Sequence, residues 1–202
     1  AGTDLPEMMR RLLGAPRELA AEAGRPVFHT GRARAVIDAV CAASGWSGRA
    51  GQAPAKDKGR GFGFYFSHRG YFAEVVDVTL TDPTTVRIDK VWAVGDIGSQ
   101  IINPLNARHQ VQGAVIEGIG QALAGQKVEQ FEGQVRLENF HEFPLMRIDG
   151  APREIAVSFV KSDYPPTGLG EPSLPPVIPA IANAIRAVTG KRLRSLPLSL
   201  TA

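Results

Sequence analysis

The residue with the clearest potential for chemistry is Glu171, which stands in the stretch TGLGEP between two glycines and a proline. A residue that precedes a proline is driven out of the helical region into extended conformation. Gly168 and Gly170 permit backbone angles that other residues avoid, and further prolines follow where an apolar helix begins. The stretch therefore predicts a rigid loop that holds one carboxylate just ahead of a helix.

Two physical effects on the Glu171 carboxylate oppose each other. The N-terminus of a helix favours the charged form, and the amides of Leu169, Gly170 and Glu171 are free to donate to an anion. Burial in a proline-lined loop favours the neutral form, and a general base that works near neutral pH needs a raised pKa. The residues alone leave two interpretations open, a catalytic base and a surface glutamate that serves the start of a helix.

A second candidate site lies in the segment NARHQVQGAVIEGIGQALAG, which predicts a helix from about Asn106 to Ala124. Gln110 and Gln112 stand one residue apart and put amide groups on different sides of that helix. Glycines also interrupt it, and each costs about 1 kcal/mol relative to alanine; they are Gly113, Gly118 and Gly120. The glycines indicate a close backbone approach, either to another element or to a bulky ligand.

Other sequence features carry weaker functional signals. GRGFGF (59–64) favours a strand that opens with glycines over a phosphate-binding loop, because its spacing is G-x-G-x-G and no strand precedes it. Cys41 is the only cysteine, so the chain itself can bind no cysteine-ligated cluster. The histidines lack the spacing of metal ligands, and we expect no metal bound by side chains of this chain; they are His29, His68, His109 and His141.

The order of elements predicts an α+β fold with mixed β-sheets and packed helices. Two short helices are expected first, the second ending at Gly24, and RARAVIDAVCAASGW predicts a longer one that ends at Gly45. Three strands follow, of which the last two form a hairpin through TDPT, and QVRLENF and REIAVSFVKS predict further strands after the glycine-rich helix. PAIANAIRAV predicts the last helix, with Gly190 as its cap.

The polar stretch Gly48–Gly59 is the best candidate for a domain boundary. It divides an N-terminal helical segment, residues 1–48, from a mixed α+β portion, residues 49–202, although the two can equally form one continuous domain. A chain of 202 residues is long enough for a sizeable core.

Composition argues against two classes of partner. The net charge of +3 comes from scattered basic residues without a basic run, which argues against a nucleic-acid-binding domain. No apolar run approaches the roughly 20 residues that span a bilayer.

Several spaced motifs together carry a resemblance. VGDIGSQIINP, QVQGAVIEGIGQAL, NFHEFPLMR and TGLGEPSLPPVIPAIANAIRAVTG occur in the order typical of one protein family. From about Arg32 to Leu198 the chain resembles the C-terminal part of the molybdenum-binding subunit of the xanthine dehydrogenase/aldehyde oxidase family. Within that family it is most similar to the branch of the isoquinoline 1-oxidoreductase β-subunit. The resemblance implies the C-terminal portion of a molybdopterin-binding domain.

The resemblance also implies roles for individual residues. Enzymes of this family hydroxylate a carbon of N-heteroaromatic or aldehyde substrates with oxygen from water, and the glutamate that matches Glu171 is their general base at the molybdenum centre. The glutamine that matches Gln110 contacts the pterin cofactor, Gly113 lets the helix approach it, and Gly170 belongs to the loop around the metal. The cofactor is a molybdenum pyranopterin, in bacterial relatives usually the cytosine dinucleotide form.

Departures from the family indicate that partners are required. Its members are several times longer, and their upstream Phe-Gly-Gly motif, their arginine-containing segment and cluster-binding cysteines are missing from this chain. We therefore expect two partners, a chain that carries the rest of the molybdenum domain and an iron–sulfur subunit. Together they would form an oxidoreductase that is active only as an assembly.

The start at Ala1 fits a split or cleaved large subunit, and both periplasm and cytoplasm are compatible with this branch. The alternative is a structural or assembly subunit in which the same site is degenerate.

Overall fold

A four-stranded sheet with helices on both faces forms the body of the protein. The computed structural model describes residues 2–19, 27–48 and 56–201. The helices are α1 (Leu5–Leu13), α2 (Thr30–Ser44), α3 (Pro104–Leu123) and α4 (Leu174–Thr189), and 3₁₀ turns occur at Phe140–Glu142 and Ile148–Gly150. The strands are β1 (Glu18–Leu19), β2 (Phe28–His29), β3 (Lys58–Ser67), β4 (Gly70–Asp82), β5 (Thr85–Asp96), β6 (Gln130–Phe131), β7 (Gln134–Val135) and β8 (Glu154–Phe159).

The main sheet has the strand order β3-β4-β5-β8. The first three strands are antiparallel, as expected of strands joined by short turns, whereas β8 runs parallel to β5 because α3 intervenes between them. The expected hairpin through TDPT joins β4 to β5. This topology confirms the α+β class with a mixed sheet.

Two hydrophobic layers cover the two faces of the sheet. Apolar residues of α2 pack with Phe62 and Val75 on one face, while α3 and α4 pack with Phe72 and Val76 on the other. Phe64 and Phe66 join the layer of Phe62, as the alternation of the strand predicts. The packing of α2 on the sheet crosses the predicted boundary between residues 48 and 49, and the division into two domains stays a prediction.

The glycines of β3 make room for α4. A Cβ added at Gly61 would overlap the backbone of Ala180 and Ala184, and one added at Gly63 would overlap the carbonyl oxygen of Pro176. Asn183, on the same helix, donates its side-chain amide to the carbonyl oxygen of Phe62 at 3.0 Å. These contacts confirm the strand interpretation of GRGFGF and show that Asn183 is bound to a strand.

The ends of the elements agree with the sequence signals in part. Gly190 caps α4 in the left-handed conformation that favours glycine, as predicted. The prediction of a second N-terminal helix is wrong over Glu18–Leu19, which form a short strand paired with Phe28–His29. Its predicted end at Gly24 and most of the expected loop Gly48–Gly59 lie outside the described residues.

The segment QVRLENF was also predicted as a strand, and this is wrong for most of its length. Only Gln134 and Val135 form a strand, and they pair with Gln130–Phe131 in a separate hairpin. The segment stands away from the main sheet, so its β-favouring residues find no long partner strand to complete a ladder.

Within the described ranges, none of the helices combines the length and the apolar character needed to cross a bilayer.

Glu74 is an acidic residue buried inside the sheet–helix layer. Its Cα pairs with that of Gly63 on β3 and of Ala93 on β5, and its neighbours on the same face are Phe72 and Val76. The side chain is fully buried, and its carboxyl oxygens have no hydrogen-bond partner among the described residues. Burial raises the pKa of the Glu74 carboxyl well above its usual range.

A measurable pH dependence of stability follows from Glu74. Above about pH 4.5 the unfolded chain loses the Glu74 proton while the folded protein keeps it, so the free energy of unfolding falls by up to about 1.4 kcal/mol per pH unit until the folded pKa is reached. In the Glu74→Gln variant the free energy of unfolding should not show this decrease with pH. Urea unfolding from pH 4 to pH 8 measures it, with Glu154→Gln as the control, because Glu154 is an exposed carboxylate paired with Lys90. Identical pH profiles for Glu74→Gln and the unmodified protein would contradict the assignment.

Candidate functional site

The loop that carries Glu171 meets the exposed side of α3. A Cβ added at Gly170 would lie 3.3 Å from Oε1 of Gln110, so the two candidate segments touch although they are far apart in the chain. Between them lies an open depression of about 350 Å³. It is lined by His109, Gln110, Gly113, Ala114, Glu117, Gly170, Glu171 and Leu174. The structure thus brings together Gln110, Gly113, Gly170 and Glu171, the residues to which the resemblance gives roles.

Glu171 stands at the rim of this depression, directly before α4. Its carbonyl oxygen accepts a hydrogen bond of 2.9 Å from the Leu174 amide, which fixes the backbone at the start of the helix. Its side chain is 72% exposed in this chain. The carboxylate is therefore held by its backbone and directed away from the core, where a ligand or another polypeptide can reach it.

The glycines of the loop are needed because there is no room for a side chain, and not because their backbone angles are unusual. Neither Gly168 nor Gly170 has a positive φ, so the expected use of conformations closed to other residues is wrong. A Cβ added at Gly168 would instead lie 3.1 Å from the Cβ of His68, and one added at Gly170 would press on Gln110. Small residues are needed here because the loop runs close to the β3–β4 turn and to α3.

The two glutamines of α3 have different surroundings. Gln112 donates its side-chain amide to the carbonyl oxygen of Ile155 at 3.3 Å and ties α3 to β8. Gln110 faces the depression, and its side chain makes no hydrogen bond within the described part of the chain. This difference separates a structural amide from one that is free to bind a ligand.

The glycines of α3 also fall into two groups. A Cβ added at Gly118 would lie 2.9 Å from the carbonyl oxygen of Leu174, and one added at Gly120 would lie 2.8 Å from Nε2 of Gln126, so both positions are occupied by neighbouring elements. A Cβ added at Gly113 would meet no atom of the described residues within 4 Å. Packing in this chain explains Gly118 and Gly120 but leaves the glycine at 113 unexplained.

His68 is a neighbour of Glu171 that the sequence motifs did not single out. Its Nε2 lies 3.9 Å from Oε2 of Glu171, and its Nδ1 lies 2.8 Å from the Ser67 hydroxyl. His68 has a left-handed backbone (φ 51°) in the turn after β3. Only the register of the β3–β4 hairpin brings this turn to the Glu171 loop, and no local sequence signal reports that contact.

A buried polar cluster lies behind the loop and was likewise missed. The Asp96 carboxylate accepts hydrogen bonds from Nε and Nη2 of Arg32 at 2.9 and 2.7 Å and from the Ser162 hydroxyl at 2.8 Å. The Gly98 amide donates to it as well. Burial opposes ionisation of Asp96, but these hydrogen bonds outweigh it and lower the pKa of its carboxyl.

This cluster fixes the chain that leads to Glu171. The ring of Tyr164 lies against the Arg32 guanidinium, 4.5 Å from ring centre to Cζ. The Tyr164 carbonyl oxygen accepts from the Ser99 amide at 2.8 Å, and the Thr167 amide donates to the Ile97 carbonyl oxygen at 3.0 Å. The segment from Ser162 to Thr167 is therefore held against the end of β5, which limits the positions that the Glu171 loop can take.

In the part of the chain that the structure describes, acidic, histidine and cysteine side chains form no ready metal site. Within residues 2–19, 27–48 and 56–201, no group of three or more such side chains is arranged to hold a metal ion. Cys41 is buried in the hydrophobic layer that α2 forms on the sheet, so its thiol is not exposed to bind a metal.

Comparison with known sequences supports one family. The sequence profile of the molybdopterin cofactor-binding domain matches residues 5–152. The isoquinoline 1-oxidoreductase β-subunit from Brevundimonas diminuta is 31% identical over 172 residues, which cover 83% of this chain and 21% of that relative. One subunit of the nicotinate dehydrogenase from Pseudomonas putida is 30% identical over 70% of this chain and 13% of that relative. The chain thus spans about a fifth or less of the length of these relatives.

Solved structures give the same result for the fold. Aldehyde oxidoreductase from Desulfovibrio desulfuricans is similar with a TM-score of 0.54 and 27% identity, covering 63% of this chain and 14% of that protein. Aldehyde oxidoreductase from Desulfovibrio gigas gives a TM-score of 0.52 and 26% identity over 61% of this chain and 14% of that protein. The profile match extends over most of the chain, and the relatives confirm the resemblance carried by the motifs. The chain belongs to the molybdopterin cofactor-binding domain family.

Proposed function

We propose that this chain forms one wall of the active site of a molybdenum hydroxylase, in which Glu171 acts as the general base. The observation that carries the proposal is the contact of Gly170 with Gln110, which brings the Glu171 loop and α3 together around one open depression. The substrates are N-heteroaromatic compounds or aldehydes, the classes named in the relatives.

The residues of the depression fit a pyranopterin cofactor. The Gln110 amide can donate to and accept from a polar ring edge, and Gly113 faces space that no described residue fills. The loop amides of Leu169 and Gly170 make no hydrogen bond within the described ranges, so they are available to an anionic group. We propose that these residues hold the cofactor, of the cytosine dinucleotide form, against α3.

The role of this chain in the reaction is a proton transfer. The bound cofactor supplies the transfer of a water-derived oxygen and the acceptance of two electrons. Glu171 accepts the proton of the attacking hydroxyl group, for which its carboxylate must come within about 3 Å of that oxygen. The loop fixed by Tyr164 and Thr167 keeps the carboxylate in place, and His68 beside it can take part in the hydrogen bonding of the carboxylate.

Partner chains complete the site in this proposal. The only cysteine of these 202 residues, Cys41, is buried, so the ligands of the iron–sulfur clusters lie outside this sequence, and we place the clusters on a separate chain. The remainder of the molybdenum-binding subunit closes the depression from the other side. Purification of the assembly, with identification of its chains by mass and elemental analysis for molybdenum and iron, tests this composition. An assembly without molybdenum would overturn the proposal and leave the structural or assembly role as the remaining function.

Gly113 offers a direct test of the cofactor contact. Gly113→Leu should reduce the molybdenum content of the purified assembly about tenfold or more, because the added side chain would occupy the space proposed for the cofactor. Substitution of residues that surround the ligands of a metal site typically lowers metal affinity by about this factor. Arg108→Leu, an exposed change in the same helix, should leave the molybdenum content unchanged. Equal molybdenum in the two variants would show that Gly113 does not face the cofactor.

A further inference from the structure

Residues 125–150, here named the arm, expose large apolar side chains between α3 and β8. Phe140 and Ile148 are 101% and 93% exposed, which is extreme for residues of this size. The exposed apolar residues of the arm are Val128, Phe131, Val135, Phe140, Leu145 and Ile148.

The arm has a defined local shape even though these side chains are not buried. β6 and β7 form a hairpin, and the carboxylate of Glu142 accepts hydrogen bonds from the amides of Glu138 and Asn139 at 2.7 and 2.8 Å. The Arg136 guanidinium lies over the Phe131 ring, 4.3 Å from its centre. Glu142 and Arg136 thus find partners within the arm, while the large apolar side chains of the arm are left for another surface.

The helix of the proposed site also exposes apolar side chains. Leu105 and Ile116 are exposed on α3, the helix that also carries Gln110 and Gly113. The arm begins where this helix ends. A polypeptide that closes the depression over α3 would therefore lie on the helix from whose end the arm starts.

The length of the relatives indicates which polypeptide binds the arm. The chain corresponds to 21% of the isoquinoline oxidoreductase relative and 13% of the nicotinate dehydrogenase relative, so most of such a polypeptide lies outside these residues. We propose that the arm docks on the remaining part of the molybdenum-binding subunit and not on the iron–sulfur subunit. The proposal rests on the proposed function, because the same remaining part must close the depression against Gln110 and Gly113.

Site-specific photo-crosslinking in the assembled enzyme tests the docking. p-Benzoylphenylalanine replaces Phe140 in one variant and Ile148 in another, and cross-linked peptides are identified by mass after irradiation. We expect both positions to cross-link to segments of the molybdenum-binding subunit outside these 202 residues. Cross-links confined to the iron–sulfur subunit, cross-links to a second copy of this chain, or the absence of cross-links would each overturn the proposal.

Substitutions at the same positions give an independent measurement. The double variant Phe140→Asp, Ile148→Asp should raise amide hydrogen exchange of the arm in the assembly at least about tenfold, because charged groups cannot be buried without a partner. The matched control Phe140→Leu, Ile148→Leu keeps the apolar character and should exchange like the unmodified assembly. Equal exchange in the Asp and Leu variants would contradict docking.

The molybdenum content separates this proposal from the proposed function. Arm cross-links in an assembly that contains no molybdenum would support the docking and overturn the function. Conversely, an active molybdenum enzyme whose arm gives no cross-link would overturn only the docking.

Discussion

Glu171→Gln is expected to lower the kcat of the assembled enzyme by about a hundredfold to ten-thousandfold, the contribution typical of a general base. Glutamine has nearly the same shape as glutamate but cannot accept the proton. The backbone hydrogen bond between Glu171 and Leu174 does not involve the side chain, so the loop and the molybdenum content should be unchanged. Steady-state kinetics and elemental analysis of the same preparation measure both quantities.

A matched carboxylate serves as the control for this substitution. Glu154 is exposed on β8 and pairs with Lys90 away from the depression, so Glu154→Gln should retain the kcat of the unmodified enzyme. A near-normal kcat for Glu171→Gln would remove the base assigned to this chain. A kcat lost together with the molybdenum would instead assign Glu171 to cofactor retention.

The size of this effect depends on how well the carboxylate is positioned. A displacement of about 1 Å at a reacting group can cost about a hundredfold in rate. In this protein the loop is held by Asp96, whose carboxylate bonds Arg32 from α2 and Ser162 from the chain that leads to the site. The buried ion pair thus connects the N-terminal helices to the position of Glu171.

Local sequence signals were sufficient for most elements and for the loop that carries Glu171. Glycines and prolines around residue 171 correctly indicated a constrained loop ahead of a helix, and the glycine-rich segment after Asn106 correctly indicated a helix in close contact with a neighbour. These signals work because proline, glycine and apolar spacing act through the nearby backbone. The resemblance placed Gln110 and Gly170 near the same cofactor, but their direct contact appears only in the structure.

Contacts between distant residues could not be deduced from the sequence. Arg32 and Asp96 are brought together by the packing of α2 on the sheet, and His68 reaches Glu171 through the register of a hairpin. Aspartates after strands and histidines in turns are common in proteins that form no such contact. Glu74 was missed for a related reason, since a single acid in an apolar strand is usually solvent-exposed and only the helix and sheet layers together bury it.

The predicted strand QVRLENF failed for a different physical reason. Its composition favours extended structure, but β-propensity is realised only when a neighbouring strand and a buried face are present. The segment lies in the arm, where the described chain offers only the short strand Gln130–Phe131 as a partner. The failed strand and the exposed apolar residues of the arm thus have the same origin, a surface that the described residues leave uncovered.

The second large effect is expected in the fold, at the contact between β3 and α4. Gly61→Val should destabilise the protein by at least about 3 kcal/mol, the upper end of the usual cost of overpacking. The added Cβ would overlap the carbonyl oxygen of Ala180 and the amide nitrogen of Ala184, and backbone atoms of a helix cannot rotate away as a side chain can. Since α4 begins shortly after Glu171, a shift of this helix also displaces the proposed base.

Thermal unfolding and soluble yield of Gly61→Val, compared with Tyr65→Val, measure this effect. Tyr65 lies on the same strand and the same face as Gly61 but is 45% exposed, so valine there should change the stability little. Valine favours strands at both positions, and any difference between the variants therefore reports the steric contact with α4 and not the propensity of the strand. A Gly61→Val protein as stable as Tyr65→Val would mean that α4 does not rest on the glycines of β3, and the support of the Glu171 loop would then have to come from the Asp96 cluster alone.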